Sequence, residues 1–147
     1  MRIVIGSDHA GFRMKENIVK HLKNENVDVV DVGTNNEESV DYPNYGKKVG
    51  NEVVNGNYDF GIVICGTGIG ISIAANKVKG VRAALIHDLE TARLAKEHNN
   101  ANVIAIGGRN TDFSLANKMV DEFMKSKFEE RHQRRLDLIS KMEAENE

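Results

Sequence analysis

Short apolar runs rich in β-branched residues alternate with helical patterns along the whole chain, and this alternation limits the possible folds more than any other feature. Candidate strands are Arg2–Gly6, Val27–Val32, Phe60–Cys65, Arg82–Ile86 and Asn102–Ile106. Between them, apolar residues recur at helical spacing: Met14, Ile18 and Leu22, then Val49 and Val53, then Leu115, Met119, Val120 and Phe123. Strict βα alternation predicts a parallel sheet, because each crossover helix must return the chain across a face of the sheet and cover it. The expected fold is a three-layer α/β/α arrangement, with a five-stranded parallel Rossmann-like sheet and an extra C-terminal helix. With 147 residues and no break in composition, residues 1–147 read as one domain, large enough to bury a core without disulfides or metals.

In sheets of this kind, ligands bind beyond the C-terminal ends of the strands. That rule selects Asp8 and His9, Cys65 to Gly70, His87 and Asp88, and Gly107 to Arg109. The second of these groups carries most chemistry. The strand Phe60–Cys65 runs into Gly66, Thr67, Gly68, Ile69 and Gly70, and Ser72–Lys77 then reads as a helix. Such a junction gathers unpaired backbone N–H groups around one point, and glycines let that backbone approach a ligand closely. A thiol beside an anion-binding nest is the minimum equipment for carbanion or acyl chemistry. A lone cysteine at a strand end also serves as a small core hydrophobe, and that reading stands beside the first.

Two familiar glycine-loop functions fit poorly. A dinucleotide fingerprint needs its third glycine where Ile71 stands, and it follows the first strand rather than the third. A thiol phosphatase loop needs an arginine to clamp phosphate, and none lies between Cys65 and Asn76.

One cysteine excludes an internal disulfide and suits a reducing compartment. Met1 leads directly into the first strand and no apolar run approaches a membrane span, so a cytoplasmic chain is expected. A net charge of −2 gives no global attraction to nucleic acid or membrane, and any anion site must be local. The end, Glu143–Glu147, reads as a frayed acidic tail.

The final helix is expected over Phe128–Met142, with Phe128, His132, Leu136, Ile139 and Met142 on one face. Arg131 and Arg135 lie on one edge of that face and offer two guanidinium forks to one anion, whereas Arg134 points away. His132 is expected to be buried at an interface, and His21 to be a solvated helix residue. His87 is open between pocket neighbour and structural residue. No pair of histidines has a zinc-like spacing with acidic residues, so no metal site is expected.

The motifs SDHAG (Ser7–Gly11), DYP (Asp41–Pro43), CGTGIGISIAANK (Cys65–Lys77), VRAALIHD (Val81–Asp88), KEHNNANV (Lys96–Val103), GGR (Gly107–Arg109) and RHQRR (Arg131–Arg135) resemble the type B ribose-5-phosphate isomerases. That family includes galactose-6-phosphate isomerase subunits and enzymes acting on allose 6-phosphate. The likeness runs nearly end to end, in order and in spacing.

The resemblance implies an aldose–ketose isomerase that needs no cofactor and no metal. It implies that Cys65 is the base moving a proton between C1 and C2 through a cis-enediolate. The N–H groups of Gly66, Gly68, Ile69 and Gly70 would hold the oxyanion. Thr67 would bond sugar oxygens or relay a proton, with an ordinary helix-start cap as its alternative. His98 would open the sugar ring, with Asn99 beside it; read alone, His98 is a favourable charge at a helix C-terminus. Asp8 would contact sugar hydroxyls or merely cap the next helix. His9, Arg109, Arg131 and Arg135 would hold the phosphate, and Tyr42 would lie near the pocket.

The same resemblance implies a homodimer with shared sites, in which His98, Asn99 and Arg109 come from the other subunit, and it leaves pairing into tetramers open. The expected substrate pair is ribose 5-phosphate and ribulose 5-phosphate. The alternatives are a six-carbon aldose phosphate, or a non-catalytic sugar-phosphate sensor. Cys65, Thr67, His98, Arg109, Arg131 and Arg135 all occur in this one chain, which favours a self-sufficient pentose enzyme.

Overall fold

A computed structural model describes residues 1–146. In chain order the elements are β1 (Arg2–Ser7), α1 (Phe12–Asn24), β2 (Asp28–Asp31), α2 (Tyr42–Val54), β3 (Phe60–Cys65), α3 (Ile69–Ala75), β4 (Ala83–Leu85), α4 (Leu89–Glu97), β5 (Val103–Gly107), α5 (Phe113–Lys125), a 3₁₀ turn (Glu130–His132) and α6 (Gln133–Glu145). The five strands form one parallel sheet in the order β2-β1-β3-β5-β4. Helices cover both faces, as the alternation requires.

Side chains alternate along each strand, so each strand feeds two cores. Ile3, Ile5, Ile62, Ile64, Ile104 and Ile106 pack with Met14, Ile18 and Leu22 of α1, Ala92 and Ala95 of α4, and Met119 and Phe123 of α5. Val4, Val63, Cys65, Val103 and Ala105 pack with Val49 and Val53 of α2 and Ile71 and Ala75 of α3. The Cys65 side chain therefore belongs to the α2/α3 layer.

From β1 the chain moves to one side to form β2 and then to the other side to form β3. This reversal opens a crevice at the C-terminal ends of β1 and β3, where open α/β sheets bind their ligands. Strand β1 delivers Asp8 and His9 to that crevice, and β3 delivers Cys65.

Buried polar bonds fix the neighbouring loop. Lys15 on α1 is fully buried, and its Nζ donates to Asp31 Oδ2 at 2.6 Å. The other Asp31 oxygen accepts the Gly33 N–H at 2.9 Å. The Gly33 carbonyl in turn accepts the Ser7 N–H at 2.8 Å, and the Thr34 N–H donates to the Ser7 carbonyl at 2.9 Å. The chain leaving β2 is thereby tied to the residue before Asp8.

The C-terminal region departs from one continuous helix. A 3₁₀ turn ends at His132, and α6 begins at Gln133. Phe128 lies outside the helix, His132 and Leu136 are buried, and Ile139 and Met142 are exposed. The expected apolar stripe is thus covered only over its first half within this chain. The acidic end is helical through Glu145, and Glu147 lies outside the described residues. Among the described residues, no helix is long and apolar enough to cross a membrane.

Candidate active site

Helix α3 begins at Ile69, three residues earlier than its apolar pattern suggests, because Gly68 caps it in a left-handed conformation with φ 79°. A Cβ there would stand 2.7 Å from Leu85 Cδ1 and 2.9 Å from the Ile106 carbonyl carbon, so both backbone angle and space demand glycine. The early start turns the Gly68 N–H onto the Cys65 sulfur, at 3.2 Å. The sulfur thereby accepts a bond from the turn that follows it. Cys65 itself is buried.

This contact revises the expected oxyanion nest. Of its N–H groups, that of Gly68 already serves Cys65, and that of Ile69 donates to Thr67 Oγ1 at 3.2 Å. Thr67 thus holds the first helical N–H from one residue before the Gly68 cap, and it is exposed. A Cβ on Gly70 would fall 2.6 Å from the Tyr42 ring, so Tyr42 covers the first turn of α3.

The other side of the crevice comes from the β1 end. Asp8 is buried, and its Oδ1 accepts the Gly11 N–H at 3.0 Å, a bond within the turn before α1 rather than a cap on the helix itself. A Cβ on Gly11 would approach the Ile64 carbonyl oxygen to 2.6 Å, so the start of α1 lies directly on β3. The Val40 N–H donates to His9 Nδ1 at 3.1 Å. The same nitrogen lies 3.2 Å from the Val40 carbonyl oxygen, so Val40 anchors the ring at Nδ1 in either tautomer.

Within this chain Arg109 lies beside the Gly66 turn rather than beside His98. Its N–H donates to the Gly66 carbonyl at 2.9 Å, and its Cδ lies 3.5 Å from where a Gly66 Cβ would be. His9, Arg13, Glu37, Arg109 and Phe113 line a cleft of about 330 Å³ beside this turn. One end of the sheet therefore gathers the thiol of Cys65, the carboxylate of Asp8, the hydroxyl of Thr67, the imidazole of His9 and the guanidinium of Arg109.

The remaining predicted residues form a second group. His98 caps the C-terminus of α4, and the chain then enters β5 at Val103. It therefore lies toward the N-terminal end of the sheet, whereas Cys65 pairs with Gly107 at the opposite end of β5. Four residue steps of about 3.3 Å separate the two ends, roughly 13 Å along the strand. The His98 ring packs on His132 with centroids 4.5 Å apart. Arg135 Nη1 donates to His132 Nδ1 at 3.2 Å, and Arg131 Nη2 donates to Glu129 Oε1 at 3.1 Å. Asn99 is exposed nearby, in a groove with Arg82 and Ile139.

His132 is buried, but within its own chain and against His98. Burial first, then the charges of Arg131, His98 and Arg135, hold its pKa below the ordinary imidazole value, against an opposing pull from Glu129. His21 also departs from expectation. It is half-buried and bonded to Asp121 across α1 and α5 at 2.9 Å. His87 is exposed and sits 3.5 Å from Asp88.

The fold also gathers metal-type donors that no spacing reveals: His98, Glu129 and His132 in one cluster, and His21, Glu25 and Asp121 in another. In the first, Arg135 donates to His132 Nδ1, so the neutral ring carries its proton on Nε2, the atom facing Glu129. An N–H cannot ligate. In the second, His21 bridges both oxygens of Asp121, and burial followed by Asp121 raises the Glu25 pKa, as expected for acids sharing protons. Hydrogen bonds to Asp121 account for the second cluster, whereas in the first His132 Nε2 is buried without a hydrogen-bond partner among the described residues.

A buried thiol beside a glycine turn, with a carboxylate, an imidazole and a guanidinium at a sheet switch point, is the arrangement of a small-molecule site. Residues 3–139 match the family model described as ribose/galactose isomerase, and the chain belongs to that family. It is 44% identical over 143 residues to the ribose-5-phosphate isomerase B of Escherichia coli, covering 97% of this chain and 96% of that one. It superposes on a Clostridium thermocellum ribose-5-phosphate isomerase B with a TM-score of 0.98, 47% identity and full coverage of both chains. A Mycoplasma genitalium ribose-5-phosphate isomerase B with bound ribulose 5-phosphate has a TM-score of 0.93 and 46% identity, covering 98% and 97% of the two chains.

Proposed function

We propose that this protein interconverts ribose 5-phosphate and ribulose 5-phosphate, with Cys65 as the base. The observation that carries this reading is the Gly68 N–H on the Cys65 sulfur at the crevice between β1 and β3. As thiolate, Cys65 removes the C2 proton of the open-chain aldose, leaving a cis-enediolate. It returns the proton to C1 while the C2 hydroxyl proton passes to O1, so that C2 becomes the ketone and C1 carries the hydroxyl. Charge builds on the carbonyl oxygen in between. The remaining N–H groups at the Gly66–Gly70 turn, with Thr67, are suited to hold it, and one such donor is typically worth ~3 kcal/mol. Asp8 bonds the sugar hydroxyls, and His9 and Arg109 receive the phosphate.

The sugar ring must open before C2 can be enolised, and we assign that proton transfer to His98, with Asn99 holding the substrate. Within one chain His98 and Cys65 lie toward opposite ends of the sheet. A pocket using both therefore draws on two chains, with Cys65, His9 and Arg109 from one and His98, Arg131 and Arg135 from its partner. This grouping follows the two side-chain clusters and makes the active unit a dimer. The test is to assay purified protein on ribose 5-phosphate, allose 6-phosphate and galactose 6-phosphate. The pentose should have the highest kcat/KM; preference for a hexose phosphate would overturn the substrate, and no turnover of any would leave only a binding function.

A further inference from the structure

The proton transfer assigned to His98 leaves Glu129 without a role, yet its carboxylate is the centre of the second cluster. The Glu129 N–H donates to the Glu97 carbonyl at 2.9 Å, pinning this segment one residue before His98. Its Oε1 accepts a bond from Arg131 Nη2 at 3.1 Å. The same oxygen stands 3.7 Å from His98 Nε2 and 3.9 Å from His132 Nε2, both beyond hydrogen-bond range. One oxygen faces three nitrogens and bonds only the guanidinium.

We propose that Glu129 is a positioning residue that couples phosphate capture to the proton transfer at His98: substrate phosphate draws Arg131 away from Glu129, and the released carboxylate closes on His98. The proposal rests on the reading of His98 as the ring-opening group and Arg131 as a phosphate ligand. The exchange is favourable in direction. The Arg131–Glu129 pair is largely exposed, and such pairs hold weakly. A phosphate dianion carries more charge and matches the guanidinium fork. The closure to His98 needs less than about 1 Å of side-chain movement to reach hydrogen-bond length.

Competition from the neighbours is small. His132 is held by tilted ring packing against His98 and by the Arg135 bond, and burial beside three cationic or ionisable groups keeps it neutral and the weaker donor. Glu97, the other carboxylate next to His98, is occupied by Arg93 at 2.8 Å. A carboxylate on Nε2 would hold the imidazole in one orientation and stabilise the charge it gains when it takes a proton from the sugar.

The substitution Glu129→Gln keeps the shape and removes the charge. Loss of a carboxylate that orients a reactive imidazole should lower kcat by roughly 10- to 100-fold, by analogy with outer-shell partners elsewhere. KM should fall as well, because nothing then holds Arg131 away from phosphate. A purely structural role would instead raise KM and lower the melting temperature. Unchanged kcat, or a raised KM, overturns the coupling.

A second measurement uses the unaltered protein. Turnover of D-ribose, which lacks the phosphate, should rise when inorganic phosphite is added, and the rise should vanish in Glu129→Gln. Absence of phosphite stimulation in the unaltered protein also overturns the proposal. If Glu129→Gln fails to fold, Glu129→Asp is read the same way, its shorter side chain keeping the charge but retreating from His98. His98→Gln separates the two levels. Normal turnover in that variant defeats the assignment of His98 itself, whereas an inactive His98→Gln beside an unaffected Glu129→Gln defeats only the coupling.

Discussion

Two inactive variants should restore each other when mixed. Cys65 ends β3 and lies beside Gly107, at the C-terminal end of β5, whereas His98 precedes the N-terminal end of that strand. Five residues of β5 lie between those levels, about 13 Å at 3.3 Å per step, too far for both side chains of one chain to act on a five-carbon sugar. If each pocket takes Cys65 from one chain and His98 from the other, Cys65→Ala and His98→Gln should each be inactive alone. Unfolded together in equal amounts and refolded, they pair at random, so about half of the two-fold dimers are mixed. In a mixed dimer one pocket carries both substitutions and the other carries neither. The mixture should therefore regain roughly a quarter of normal activity, read as ribulose 5-phosphate formation. Native mass spectrometry would establish that mixed dimers are present. A silent mixture containing them would refute the two-chain pocket, since a single-chain pocket leaves one defect in every site.

Cys65→Ala alone should abolish turnover yet leave substrate binding measurable by calorimetry, because the phosphate groups lie elsewhere; near-normal activity would move the base to another residue. Arg135→Ala should lower kcat/KM by roughly 30-fold, the equivalent of about 2 kcal/mol for one charge-assisted bond, with Arg134→Ala near wild type. Equal effects of the two would show that the Arg135–His132 contact does not orient a phosphate ligand. Lys15→Ala should destabilise the fold by on the order of 3 kcal/mol in urea unfolding, because it strands Asp31 and loosens the turn at Gly33. Thr91 bonds hold the Asp88 pKa below the ordinary carboxylate value. The stability Asp88 adds to α4 should be full above the unfolded aspartate pKa and lost as pH falls through the depressed one, an acid-limb loss that Asp88→Asn should remove from the melting curve.

The strands and helices were legible because burial imposes its periods on the chain. Alternating runs such as Ile3–Val4–Ile5 report a strand covered on both faces, and Met14, Ile18 and Leu22 report one side of a helix. The glycine turn after Cys65 was legible too, since only glycine tolerates the φ of Gly68. Periodicity carries no information on contacts between elements. It could not show that α3 starts at Ile69, which takes the Gly68 N–H from an open nest to the Cys65 sulfur. Nor could it show that the strand order brings β1 and β3 together at a reversal, that Arg109 sits over Gly66, or that the His132 ring packs against His98.

Glu129 was missed for the same reason. One acidic residue before a basic run reads as a solvated charge, and only the Glu97–Glu129 backbone bond brings it to His98. By itself, the amino-acid sequence determined the layers, the candidate chemistry and the family resemblance, because these depend on local pattern and residue identity. Tertiary structure alone decided which residues share a side of the sheet. Positions distant in sequence become neighbours only when the strands pair, and that pairing separates His98 from Cys65 within a chain.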